Sequence, residues 1–309
     1  MEYLIESNNL SKNYGKNKVL NDLNLRVPKG SIYGLVGKNG AGKTTFMRTI
    51  CGIQDTTSGS YSLFGVKNTD SKIAKVRKRI GAVIEYPALT LELSAKENLK
   101  QMYRYLGVPT WDGIDELLEL VGLSDVGKKK AKNFSLGMRQ RLGIAMALCG
   151  NPDLIILDEP MNGLDPAGII EIREVILKLN KEKDITFVIS SHILDELSKV
   201  ATDYGFIDKG HIVKEISSEE LLSKCRKAVT IEVDSVDGLV KILDKNSFEY
   251  VVKSEKSVEV YGDIDINDIL PDMINEGLKL KSLYPTTESL ESYYLGLFGE
   301  NKKEDEVHE

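Results

Sequence analysis

Eight consecutive residues, Gly37-Lys38-Asn39-Gly40-Ala41-Gly42-Lys43-Thr44, have the spacing G-x-x-x-x-G-K-[ST]. Glycines at these intervals let backbone N–H groups curl around an anion, and a helix that starts beside them adds a positive dipole end. Lys43 would reach the β- and γ-phosphates of a nucleotide, and the Thr44 hydroxyl would hold Mg²⁺. A second set of groups follows 115 residues after Lys43, where the apolar run Leu154-Ile155-Ile156-Leu157 ends in Asp158-Glu159. Asp158 is a candidate Mg²⁺ ligand, direct or one shell out, and Glu159 a candidate base that polarises an attacking water. His192 comes directly after Ser190-Ser191 at the end of a further strand-like run, and beside a nucleotide it could contact the γ-phosphate.

These groups need elements to position them. Ile32–Val36 reads as a strand leading into the glycine-rich loop, and Thr45–Ile50 as the helix leaving it. The all-apolar run at Leu154 reads as a strand buried on both faces of a parallel sheet. Carboxylates at its C-terminal end fall where α/β sheets bind ligands. A helix is expected around Ile169–Leu179, a strand at Ile185–Ser190, and a hairpin turn at Asp208-Lys209-Gly210 between Tyr204–Ile207 and His211–Lys214. From about 88 to 150 helical periodicity dominates, over Glu97–Leu106, Ile114–Val121 and Gly137–Leu148. The reading is therefore an α/β domain over 1–218, interrupted by a helical insert.

Residues 219–300 read as a small α+β unit. Its expected strands are Val229–Val233 and Ser257–Tyr261, and its expected helices Val236–Leu243, Ile266–Asn275 and Glu288–Phe298. Leu290, Tyr293, Tyr294 and Leu297 would share one side of the last helix. They would pack within the unit or form a dimer contact. The polar tail 301–309 is expected to be disordered.

Composition limits the function classes. The 309 residues have room for one large domain or two smaller ones, and a net charge of −6 with a pI of about 5.4 provides no global basic field for nucleic acid. The basic run Lys128–Lys130 with Lys132 reads as a solvated loop. No apolar stretch reaches membrane-spanning length, and the N-terminus lacks the pattern of a secretion signal. Cys51, Cys149 and Cys225 are few, odd in number and widely spaced, which favours a reducing cytoplasm over disulfides or a zinc site.

The segment Phe134-Ser135-Leu136-Gly137-Met138-Arg139-Gln140-Arg141 resembles the signature of the ATP-binding cassette (ABC) family, LSGGQ followed by x-Q-R. Ser135, Gly137, Gln140 and Arg141 match, while Leu136 and Met138 depart from the pattern. The resemblance extends over about residues 3–215. It implies a P-loop nucleotide-binding domain with a helical subdomain, ATP and Mg²⁺ as ligands, and two chains sandwiching two ATP molecules. Ser135, Leu136, Gly137 and Met138 would then face the partner chain's ATP, Asp165 would belong to the D-loop, and Tyr14 would stack on adenine. Gly37–Thr44, Thr45 and Glu85 would complete the ATP site, with Lys43, Glu159 and His192 as its catalytic set. Physically, Ser135 precedes a predicted helix whose free N–H groups could face an anion while Ser135 caps it.

Glu85 stands where the family usually has Gln. With the signature variant, Ser94–Leu99 and Pro285–Glu291, it makes the chain similar to the bacitracin and lantibiotic exporter subgroup. That resemblance implies an ATPase, homodimeric or heterodimeric, docked on membrane-spanning permease subunits at the cytoplasmic face of the membrane. Two alternatives remain at this stage. One is a cassette ATPase of translation or DNA repair, disfavoured by the single phosphate loop and the short Lys43–Asp158 interval. The other is a nucleotide sensor that does not hydrolyse, disfavoured by Glu159 and His192.

Overall fold

The structure, a computed structural model, describes residues 2–224, 227–262 and 264–287. The chain divides after Ser218 into two compact units.

In the first unit, β1 (Tyr3–Tyr14) and β2 (Asn17–Pro28) form an antiparallel pair. They are followed by β3 (Ile32–Val36), α1 (Lys43–Ile50), β4 (Ser58–Leu63), β5 (Val66–Lys67), α2 (Ile73–Arg77) and β6 (Ile80–Val83). Strands β2, β1, β4 and β5 lie side by side as one antiparallel sheet. Leu23, Leu25 and Val27, alternating along β2, are buried with Phe46, Met47 and Ile50 of α1 in one core cluster. Leu154, Ile156 and Val188 join that cluster, so the antiparallel sheet and α1 cover one face of the central sheet.

The helical insert contains α3 (Ala95–Leu106), α4 (Ile114–Leu120) and α5 (Leu136–Leu148). Helix α3 starts at a capping box. The Ser94 side chain accepts from Glu97 N–H, and the Glu97 carboxylate accepts from Ser94 N–H at 2.7 Å, so two orphan donors are satisfied. The helix ends at Gly107, whose φ of +72° is the left-handed stop that glycine adopts without cost. The chain then returns to α/β structure through β7 (Leu154–Asp158), α6 (Pro166–Lys183), β8 (Thr186–Ser191), α7 (Leu194–Leu197), β9 (Asp203–Asp208) and β10 (His211–Ser217). The expected hairpin turn is present, with Lys209 and Gly210 both at positive φ. Helix α6 extends beyond the predicted Ile169–Leu179 because Asp165 caps it, with Pro166 at its first position.

Helix α8 (Ser218–Lys224) spans the division between the units. The second unit runs β11 (Lys227–Val233), α9 (Val236–Lys245), β12 (Glu249–Ser254), β13 (Ser257–Tyr261), α10 (Ile266–Asn275) and β14 (Leu280–Thr287). Its sheet order, β12-β13-β11-β14, is the split βαββαβ arrangement. Ile231, Val233, Leu239, Leu243, Val258 and Ile269 are fully buried in a core of its own. Sequence reading missed β12, since Val251 and Val252 are adjacent and both exposed, leaving no alternation to detect. It also missed β14 and α8. The predicted helix Glu288–Phe298, the tail 301–309 and Cys225 lie outside the described residues.

Candidate nucleotide site

The central sheet has the order β10-β9-β3-β8-β7-β6, and β9, β3, β8, β7 and β6 are mutually parallel. Strands β3, β8 and β7 are therefore neighbours with their C-terminal ends on one edge. That edge brings together the glycine-rich loop after β3, His192 after β8 and Asp158–Glu159 at the end of β7. The three are far apart in sequence and adjacent only through the strand order.

The loop is shaped by its glycines. A Cβ on Gly37 would lie 2.4 Å from the Ile207 carbonyl oxygen, and one on Gly42 would lie 2.9 Å from Leu20 at a φ of +112°. Gly42 precedes α1, and no side chain caps this helix, so its first-turn N–H groups are disposed toward an anion. Lys38, Asn39 and Gly40 are exposed, while Ala41 and Gly42 are buried. Lys43 is 6 % exposed. Its Nζ donates to the carbonyls of Gly37 at 2.5 Å and Lys38 at 3.3 Å and lies 3.2 Å from Glu159 Oε1, which compensates a buried cation.

Asp158 is nearly inaccessible and accepts two hydrogen bonds, from Thr44 Oγ1 at 2.7 Å and Ser190 Oγ at 2.6 Å. Ser190 Oγ in turn accepts from the Glu159 N–H at 2.9 Å. Sequence reading did not single out Ser190. Its one available signal was its place in the polar Ser190-Ser191 end of β8. Glu159 has a φ of +48°, a costly conformation for a side-chain-bearing residue that is found preferentially at functional sites. Its Oε2 is 2.9 Å from His192 Nδ1. Its buried Oε1, ion-paired with Lys43 Nζ at 3.2 Å, makes no hydrogen bond among the described residues. Nearby Glu196 on α7 is held above the usual carboxylate range, chiefly by burial, with Lys199 and His192 opposing and the Glu159 charge adding.

Thr44 Oγ1 and Asp158 Oδ2 form a pair of hard oxygen donors, the kind Mg²⁺ accepts alongside phosphate oxygens and water. No group of three His, Cys, Asp or Glu side chains forms a self-sufficient cage among the described residues. The donor set therefore fits an ion that arrives with a nucleotide.

The remaining predicted residues fall in two places. Tyr14, at the end of β1, is half-exposed, and its hydroxyl bonds Gln54 Oε1. Gln54 Nε2 donates to the Thr45 carbonyl at 2.8 Å, which ties Tyr14 to α1. Glu85 follows β6 and pairs with Arg48 of α1 at 2.7 Å. The signature segment stands apart, with no hydrogen bond or ion pair to the phosphate loop among the described residues. Ser135 caps α5 by accepting from Met138 N–H at 3.2 Å. A Cβ on Gly137 would have its nearest neighbours at 3.8 Å, one of them Leu164, so intrachain packing does not demand glycine there. Asp165 caps α6 through Gly168 N–H at 3.1 Å. The signature segment and the Leu164–Gly168 turn are thus neighbours. Of the cysteines, Cys149 is buried and Cys51 partly buried, and burial pushes both thiols up to about 12, which makes them poor nucleophiles.

Comparison with known proteins agrees with this geometry. The family model for ABC transporters matches residues 20–162, across the phosphate loop, the signature and the carboxylate strand. The chain is 39 % identical over 302 residues to the bacitracin transport ATP-binding protein BcrA of Enterococcus faecalis, covering 97 % of both chains. It is 46 % identical over 212 residues to the lantibiotic transport ATP-binding protein SrtF of Streptococcus pyogenes, covering 69 % of this chain and 90 % of that one. Among solved structures, the dimeric post-hydrolysis state of the ATP-binding cassette MJ0796 bound to ADP and Pi superposes with a TM-score of 0.62 at 25 % identity, over 69 % of this chain and 98 % of the other. A phosphate loop, a signature helix and a carboxylate strand in this chain order, with a relative 39 % identical over 97 % of both chains, mean that the chain belongs to the ABC transporter family, among its ATP-binding proteins.

Proposed function

We propose that this chain is the ATP-hydrolysing subunit of an exporter for peptide antibiotics, in which residues 1–218 are the cassette and 219–300 an accessory domain. Hydrolysis rests above all on Glu159, strained at its backbone and set between Lys43 and His192 with one oxygen free of hydrogen bonds among the described residues. The amides of Gly37–Thr45 cradle the phosphates, and Lys43 exchanges its carbonyl and Glu159 contacts for phosphate oxygens. Thr44 and Asp158 would hold Mg²⁺, which when bound neutralises charge on the β- and γ-phosphates. Glu159 accepts the proton of the attacking water, and His192 orients Glu159 and reaches the γ-phosphate. Tyr14 stacks on the base. Catalysis is then chiefly positioning and electrostatics.

Ser135–Met138 and Asp165, remote in bonding from the chain's own phosphate loop, would serve the nucleotide of a second cassette in a homodimer or heterodimer. The dimeric form of MJ0796 supports this. An apolar cleft of about 310 Å³ lined by Val83, Tyr86, Pro87, Met102, Leu106 and Met146 would receive a segment of a membrane-spanning permease, placing the chain at the inner face of the membrane. Bacitracin and lantibiotics are the substrate candidates. The match to the bacitracin relative extends through the second unit, whereas the lantibiotic match covers 69 % of this chain, which favours bacitracin.

Glu159→Gln is expected to keep ATP binding, cut turnover by roughly 10²–10⁴-fold and accumulate an ATP-bound dimer in sedimentation. Normal turnover in that variant would refute the assigned base. Lys43→Ala should lose tight ATP binding, and unchanged affinity would refute the phosphate site. For the substrate, deleting the gene should sensitise cells to bacitracin, and unaltered sensitivity to both bacitracin and lantibiotics would overturn the export reading.

A further inference from the structure

Thr44 and Arg48 lie four residues apart on α1 and share one face of the helix. Thr44 meets Asp158 at the end of β7. One turn further on, Arg48 Nη2 donates to Glu85 Oε1 at 2.7 Å, just beyond the neighbouring strand β6. Glu85 is the centre of a three-residue turn, in which the Tyr86 N–H donates to the Ile84 carbonyl at 2.9 Å. Its φ of +64° is the strained form of that turn for a residue with a side chain, and such a conformation persists only where its surroundings hold it. Among the described residues, the one ion pair of Glu85 is with Arg48. The residues that follow, Tyr86 and Pro87, line the apolar cleft.

We propose that Arg48 is a positioning residue that competes with nucleotide-bound Mg²⁺ for the Glu85 carboxylate. It holds Glu85 one helical turn away from the Thr44–Asp158 pair and cancels its charge. The proposal rests on the reading of this edge as a Mg²⁺-ATP site. A carboxylate binds Mg²⁺ well but repels phosphate, so an exchangeable cation is what lets Glu85 stand near the site. Exchange requires a weak pair. The side chains of Arg48 and Glu85 are 36 % and 52 % exposed, which places the pair in the weak, solvent-screened class.

The test compares full-length wild type, Arg48→Ala, Glu85→Gln and the double variant. Calorimetry would follow binding of the non-hydrolysable analogue AMP-PNP as MgCl₂ is titrated. Arg48→Ala should lower the half-saturating Mg²⁺ concentration roughly two- to fivefold, the range set by a weak exposed pair. Glu85→Gln should raise it, the double variant should follow Glu85→Gln, and Arg48→Lys should restore the wild-type midpoint. A merely structural arginine would change folding stability without moving this midpoint through Glu85. The same midpoint in Arg48→Ala as in wild type, or the same lowered midpoint in the double variant, overturns the proposal. Should Arg48→Ala not fold, Arg48→Gln is read by the same criteria. Failure of the wild type to bind AMP-PNP at any Mg²⁺ concentration overturns the ATP reading and the proposal together. Normal binding with no shift overturns the proposal alone.

Discussion

Glu196 illustrates how a single residue makes stability depend on pH. Its folded-state pKa is raised, mainly by burial, so between its unfolded and folded values the folded chain binds the extra proton. The stability it contributes is present below the unfolded carboxylate value and is lost as pH rises through the folded value. Glu196→Gln should therefore raise the urea midpoint at pH 7.5 more than at pH 4.5, and an equal change at both would contradict the direction of the shift. Ser190 is the second residue of consequence, since its hydroxyl joins the Asp158 carboxylate to the Glu159 amide. A hydrogen bond to a charged group contributes about 1.5–3 kcal/mol. Ser190→Ala should thus lower kcat by roughly 10–100-fold, through a misplaced Glu159, while ATP affinity changes little. An affinity loss as large as the kcat loss would instead point to general disruption.

At the scale of elements, the ends carry more information than the middles. The segment Ser94–Leu99, which carries part of the subgroup resemblance, is physically a capping box that starts α3. Ser94→Ala should cost about 0.5–2 kcal/mol, typical of a lost N-cap, seen as a lower urea midpoint with ATP binding retained. Gly42 is a different kind of end. At φ +112° with Leu20 and the Val19 carbonyl close by, it admits no side chain. Gly42→Ala should abolish nucleotide binding by displacing the first turn of α1, even where the domain still folds by circular dichroism. Most elements were legible from periodicity and punctuation, as with α3, α5, β7 and the β9–β10 hairpin. Strand β12 was not, because neither of its faces alternates.

At the scale of the whole molecule, each unit has its own buried core. Leu243→Ala, at a fully buried position of the second core, should cost that unit about 2–5 kcal/mol. Hydrogen exchange should then speed up across residues 227–287 while amides of β3 and β7 stay protected. Uniform acceleration in both units would show one cooperative block instead. The sequence by itself determined which groups could do chemistry: the phosphate loop is recognisable from local residue order, and Asp158–Glu159 and His192 become candidates only beside it. Helix starts were only partly legible, since α6 begins at Pro166, ahead of the expected Ile169, where Asp165 caps it. Only the tertiary structure decided which of these groups meet. Parallel strand order is set by long-range packing, and placing β8 between β3 and β7 is what brings His192, Lys43 and Glu159 into contact. The partners of Glu159 and the pairing of Glu85 with Arg48 depend on backbone strain and sheet neighbours far away in the chain, for which no local residue pattern exists.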